Sequence, residues 1–171
     1  MNSQVTRIVE QHVPAGAQAL FAEAHCSLVT LGRGELYKDR SGALSRLQID
    51  VDAWPAPPAG LFVVEERTVY LRSLDPMTVV HEYGHAIDCA LGGGVYYSGI
   101  DPTIRKAFAD ARNFVTPYSA TGVDEFFAEC FRAWCAANSE GSPWPRVSRE
   151  RLRALHPTMF ELFAQRFGDA A

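Results

Sequence analysis

Apolar residues follow two different rhythms along this chain of 171 residues. Near the start, Val5, Ile8 and Val9, and then Ala19, Leu20 and Ala24 beyond Pro14-Ala15-Gly16, predict short helices with a break between them. Ser27 to Leu31 and then Leu47, Ile49 and Val51 alternate with polar neighbours, which predicts half-buried strands, with Gly32, Gly34 and Gly42 marking turns. Trp54 to Gly60 reads as a stiff surface connection, because Pro55, Pro57 and Pro58 have no amide hydrogen to give a ladder. Leu61 to Val64 and Thr68 to Leu71 are β-branched and aromatic and flank Glu65-Glu66-Arg67, the pattern of a hairpin.

From residue 76 the period lengthens to that of a helix. Asp75 and Pro76 make a strong start, and Gly92-Gly93-Gly94 stops the helix near Leu91. Further helices are expected over about Pro102 to Asn113, Val123 to Ala137, Ser148 to Leu155 and Thr158 to Phe167. Strands early and helices late predict an α+β fold: a small N-terminal twisted sheet with helices, then a helical C-terminal half. The length and the absence of repeats or linkers predict one domain over residues 1–171.

Composition narrows the function classes. With 47% apolar and 21% charged residues the chain can bury a core of its own. Sixteen basic residues against 20 acidic ones give a net charge of -4, and no Lys/Arg run is present to neutralise phosphates, which argues against nucleic acid. No run approaches the ~20 apolar residues of a membrane span, and the N-terminus lacks the pattern of a secretory leader. Cytoplasmic synthesis is expected, although an exported effector without its leader would read the same, and nothing in the sequence sets the oligomeric state. Cys26, Cys89, Cys130 and Cys135 form no Cys-x-x-Cys pair and read as reduced, buried small residues.

The sequence His81-Glu82-Tyr83-Gly84-His85 carries the candidate chemistry. At about 100° per residue the two histidines stand about 40° apart on one helix face, so both imidazoles can reach one metal ion, with the Glu82 carboxylate beside it. Val79, Val80, Tyr83, Ala86, Ile87 and Ala90 fall on the opposite face. A catalytic zinc needs a third protein ligand. The position six residues after His85 is Leu91, so a later carboxylate must serve, and the Val123 helix offers Glu125 and Glu129 on one face, with Arg132 close by. That pattern also fits an ordinary acidic stripe, but beside the histidine motif it makes sense if Glu125 binds metal and Glu129 accepts the spare N–H of a ligand histidine. Tyr118, on the loop before this helix, can donate to a developing oxyanion. Asp88 returns to the metal-facing side and either anchors a ligand histidine or the following loop, or forms a structural salt bridge. Cys89 reads as packing, as do His12, His25 and His156 as ordinary histidines. Tyr96-Tyr97-Ser98 either lines a cleft or caps the core.

His81 to Asp88, Tyr118 and the Glu125-Phe126-Phe127-Ala128-Glu129 run together resemble the catalytic domain of anthrax lethal factor and the related lethal-factor-like metalloproteases, Pro-Pro endopeptidases among them. The resemblance is specific over about residues 60 to 136. It implies a zincin-like fold with one Zn²⁺ per chain held by His81, His85 and Glu125, Glu82 as general base, Tyr118 as oxyanion donor and Glu129 supporting a ligand. It also implies a protein or peptide substrate laid along a sheet edge, for which the strand Gly60 to Val64 is the candidate; its apolar run equally suits an interior strand. The chain lacks the extra domains with which such a toxin enters cells, so toxicity does not carry over. Two rivals accompany a zinc endopeptidase: a regulatory protease that cleaves an intracellular repressor, and a catalytically silent zinc-binding module on the same scaffold. The presence of Glu82 and Tyr118 argues against the silent module, since metal binding alone needs neither.

Overall fold

The computed structural model describes residues 2–168. Helices α1 (Ser3–His12) and α2 (Ala15–Glu23) lead into β1 (Ser27–Thr30). Two short helices, α3 (Tyr37–Arg40) and α4 (Gly42–Leu47), precede the hairpin of β2 (Gly60–Val63) and β3 (Thr68–Leu71). The long helix α5 (Pro76–Leu91) follows, then α6 (Tyr97–Ile100), α7 (Pro102–Asp110), α8 (Val123–Trp134), α9 (Arg149–Leu155) and α10 (Pro157–Phe167). The fold is mixed α+β, as the order of patterns predicts. Among the described residues, no helix is long and apolar enough to cross a membrane.

The sheet has the order β1-β3-β2, with β1 parallel and β2 antiparallel to the central β3. Every residue of β3 is buried, as a central strand with both faces covered requires. Strand β2 is therefore an edge, which decides between the two readings of Leu61 to Val64. Its register pairs Gly60 with Leu71 and Phe62 with Val69. The preceding carbonyl of Ala59 accepts the amides of Arg72 and Ser73. Because backbone groups alternate along an antiparallel strand, Gly60 and Phe62 then turn theirs away from β3.

The expected strand around Leu47, Ile49 and Val51 does not form. Ser41 accepts the Leu44 amide at 3.1 Å and starts α4, which ends at Gln48 in the left-handed conformation. Leu47 and Ile49 are exposed, and Val51 joins Tyr37, Leu44 and Tyr70 in a small second core under the sheet. Three alternating apolar residues are too short a signal to tell a strand from a helix end and a turn.

The main core lies between the sheet and the helices. Helix α5 runs through its centre: Val79, Val80, Tyr83, Ala86 and Ile87 are buried there, with the Tyr83 ring stacked 4.4 Å from Phe21 of α2. Burial of each valine or isoleucine among them stabilises the fold by about 1.5–3 kcal/mol. Helix α8 packs against α5, with Phe131 stacked on Tyr83, while Phe126, Phe127 and Trp134 are buried against the rings of Phe108, Phe160 and Phe163. The crossing is close because residue 84 is glycine: a β-carbon there would stand 3.0 Å from Ala128 Cα and 3.2 Å from its carbonyl oxygen. The polar faces of the two helices are thereby brought together at one end of the sheet.

Candidate metal centre

Helix α5 is fixed at its start by Asp75. Its carboxylate accepts the Thr78 amide at 3.0 Å and hydroxyls of Thr78, Ser73 and Ser139. Burial works against this carboxylate, but those donors hold its pKa below the usual range. From that start the helical period turns His81 and His85 toward α8. Glu125, in the first turn of α8, meets them: its Oε2 lies 3.1 Å from His81 Nε2 and 3.3 Å from His85 Nε2. Yet Glu125 Oε2 is buried without a hydrogen bond. Two imidazole nitrogens and a carboxylate oxygen thus face one another at close range, a set of atoms that could hold a metal ion. Donor atoms about 2.0–2.1 Å from a tetrahedral zinc stand about 3.3 Å apart, which these separations match. All three donor atoms lie within 4.8 Å of one another.

The far nitrogen of His81 is held as well. Nδ1 stands 2.9 Å from Glu129 Oε1, and a carboxylate only accepts, so Nδ1 carries a hydrogen and Nε2 is the atom that would offer a lone pair once a cation replaces its proton. Glu129 is locked in turn by Arg132, whose Nε and Nη2 donate at 2.8 and 2.9 Å, and by the Thr116 hydroxyl at 2.5 Å. Arg132 is 1% exposed and spends a further donor on the Ala137 carbonyl. His85 Nδ1 is buried without a hydrogen-bond partner among the described residues.

Electrostatically the site has an excess of negative charge, with Glu82, Glu125 and Glu129 set against Arg132. Burial disfavours the His81 imidazolium, but Glu125 and Glu129 beside it, and Glu82, outweigh that and raise its pKa to about 10. Burial also opposes ionisation of Glu125 and Glu129, and the imidazoles, with Arg132 at Glu129, outweigh it and hold both carboxyls low. A divalent cation satisfies the same field. Glu82 differs: burial dominates and raises its pKa, with His81 and His85 only partly opposing.

Glu82 sits beneath the edge strand. The Phe62 amide favours its charged form, and a β-carbon at Gly60 would lie 2.5 Å from its Cγ. Tyr118, in a short 3₁₀ turn before α8, donates its hydroxyl to Glu125 Oε1 at 2.9 Å. Its ring is 5.6 Å from that of His81, and burial, then Glu125, push the phenol pKa up. A cleft of about 220 Å³ reaches the cluster at His81, lined by Pro58, Ala59 and Gly60 on the sheet side, by Met77, Thr78, His81 and Glu82 of α5, by Glu129 and Arg132 of α8, and by Tyr118 and Trp144.

The sequence-derived residues His81, Glu82, His85, Tyr118, Glu125 and Glu129 thus share one site. Asp88 does not join them. Its carboxylate accepts the Ser98 amide at 2.7 Å and the Ser98 hydroxyl at 2.5 Å, so of its three readings the structure has the one that ties down the following loop. Burial raises its pKa to about 6 against those two bonds. Tyr96 lies 5.7 Å from the His85 ring and packs on the core rather than lining the cleft. Cys89 is buried, as packing predicts, and His156 is buried too, between Phe114 and Phe126. Four contributors escaped the sequence: Gly60, Gly84, Thr116 and Trp144. A glycine opening an apolar strand is a signal of close approach, but nothing local says to what.

No protein-family model matches the sequence, nor does any curated protein. Among solved structures, a Pro-Pro endopeptidase from Paenibacillus alvei matches with a TM-score of 0.62 at 18% sequence identity. The two chains share a fold. The match covers 96% of this chain and 91% of the Pro-Pro endopeptidase, so the sheet, α5, α8 and the C-terminal helices all fall within it.

Proposed function

We propose that the protein is a zinc-dependent endopeptidase, with residues 1–171 forming one catalytic domain. The observation that carries the reading is the convergence of His81, His85 and Glu125 beside a cleft that His81, Glu82 and Tyr118 line. Two imidazoles and one carboxylate are a donor set that suits zinc and leaves a coordination position open. Bound there, the metal would supply Lewis acidity and lower the pKa of a water. Glu82 takes the proton of the attacking water at its carboxylate, for which burial has raised its basicity, and passes it to the leaving amide nitrogen. Tyr118 turns its hydroxyl from Glu125 to the oxyanion. Glu129 holds the His81 ring through Nδ1, and Arg132 and Thr116 hold Glu129. The open edge of β2 accepts the peptide backbone in extended form.

The fold shared with a Pro-Pro endopeptidase supports the peptidase reading and makes a proline-rich peptide the first probe. The decisive comparison is wild type against Glu82→Gln, read by metal analysis and chelator-sensitive peptide cleavage. We expect both proteins to hold about one zinc per chain and the variant to lose at least 10²–10⁴-fold in rate. A variant that still cleaves would overturn the mechanism, and a wild type that binds zinc but cleaves no peptide would favour a binding module.

A further inference from the structure

The cleft carries one large aromatic side chain that the chemistry above does not use. Trp144, on the segment between α8 and α9, is 45% exposed and lines the same cleft as His81 and Glu82. A single exposed tryptophan is ordinary on a protein surface. This one is mounted. Asn138 and Val147 close the base of its loop, the Asn138 amide donating to the Val147 carbonyl at 3.0 Å and the Val147 N–H to Asn138 Oδ1 at 2.8 Å. Ser139 donates to Asp75 at 2.5 Å and accepts the Met77 amide at 3.3 Å, which pins the loop to the start of α5. The Trp144 amide donates to Ser142 Oγ at 3.2 Å. The same hydrogen bonds that fix the start of the His81 helix therefore anchor the base of the loop that carries the indole.

The lining of the cleft is mostly apolar, its polar members being Thr78, His81, Glu82, Glu129 and Arg132. The Tyr118 ring lies 6.4 Å from the indole, and Met77 and Pro58 add a thioether and a pyrrolidine. The charged groups Glu129 and Arg132 are buried and bonded to each other. Ring-to-ring steps of 5.6 and 6.4 Å lead from His81 through Tyr118 to Trp144. An extended peptide covers that reach in about three to four residues at about 3.3 Å each.

We infer that Trp144 is a specificity residue whose indole face, with Tyr118 and Met77, receives an apolar side chain of the substrate within about four residues of the scissile bond. The inference rests on the endopeptidase reading and adds the class of peptide selected. It is tested by kinetics of zinc-loaded wild type, Trp144→Ala and Trp144→Phe on peptides varied one position at a time around the bond cut. In wild type, one position should prefer an apolar residue to serine by about 10- to 100-fold in kcat/KM. Trp144→Ala should shrink that preference to about threefold or less, mainly through KM, and Trp144→Phe should restore most of it. An unchanged preference in Trp144→Ala, or an equal loss at every position carried by kcat, overturns the inference while leaving the endopeptidase reading intact. A zinc-loaded wild type with no chelator-sensitive cleavage overturns both.

Discussion

Gly60 and Tyr118 line the same cleft, one against Glu82 and the other bonded to Glu125. A methyl at residue 60 meets the middle of the Glu82 side chain, not its flexible tip, so Gly60→Ala must move the carboxylate or the strand. We expect it to retain zinc and the fold while lowering kcat at least about 10-fold, since displacement by an ångström from reacting geometry costs up to about 10²; equal kcat in the two proteins would show that Glu82 has room to spare. Tyr118→Phe removes one hydroxyl and nothing else from the cleft. Its kcat should fall about 10²–10³-fold with zinc content unchanged, and an effect confined to KM would reassign Tyr118 to substrate binding. The metal-facing residues could be read from sequence because the helix repeat sets which side chains share a face. Gly60 could not, because its role depends on a helix that begins 16 positions later. Thr116 escaped for the same reason: its partner Glu129 is fixed by the packing of a loop, which has no period.

Two helices have to meet at a fixed distance for the donor atoms to converge, and Gly84 against Ala128 sets that distance. Gly84→Val adds bulk where the nearest atoms are backbone, so neither helix can yield by a rotamer change. Overpacking of this kind costs about 1–3 kcal/mol, and a slight gain in helix propensity does not offset it. The expected result is a lower melting temperature together with weaker zinc binding. A variant destabilised to that extent but with wild-type zinc affinity would show that the crossing does not position Glu125. Elements with strong end signals were readable: Asp75-Pro76 and the glycine run bound α5 where expected, and the hairpin forms around Glu65-Glu66-Arg67. Those without were not. The expected helix through Ala137 stops at Trp134, because Ala136 takes a left-handed backbone that no residue type announces. Between Gly32 and Val51 the turn at Gly34 was anticipated, but Gly42 opens α4 instead of a turn, and α3 and α4 were not foreseen, since their few apolar residues face a small local core.

Across the whole molecule, the proposed metal ties α5 to α8 and so couples ligand binding to global stability. Free zinc at about 100 times its dissociation constant adds about 2.7 kcal/mol, or roughly 5–10 °C in Tm for a chain of this size. Calorimetry with zinc and with chelator should show that difference in wild type and none in Glu125→Ala; the same shift in both proteins would place the ion elsewhere. The sheet imposes a different demand at this scale. An edge strand open to a peptide is open to every other strand, including that of a neighbouring copy, and paired edges nucleate aggregates. Here β2 is four residues long and follows Pro55, Pro57 and Pro58. Prolines cannot donate to a growing ladder, so an intruding strand finds too few amides to hold it. The proline segment that shapes one rim of the cleft thus also narrows what that end of the edge can pair with to guests that the rest of the cleft can grip.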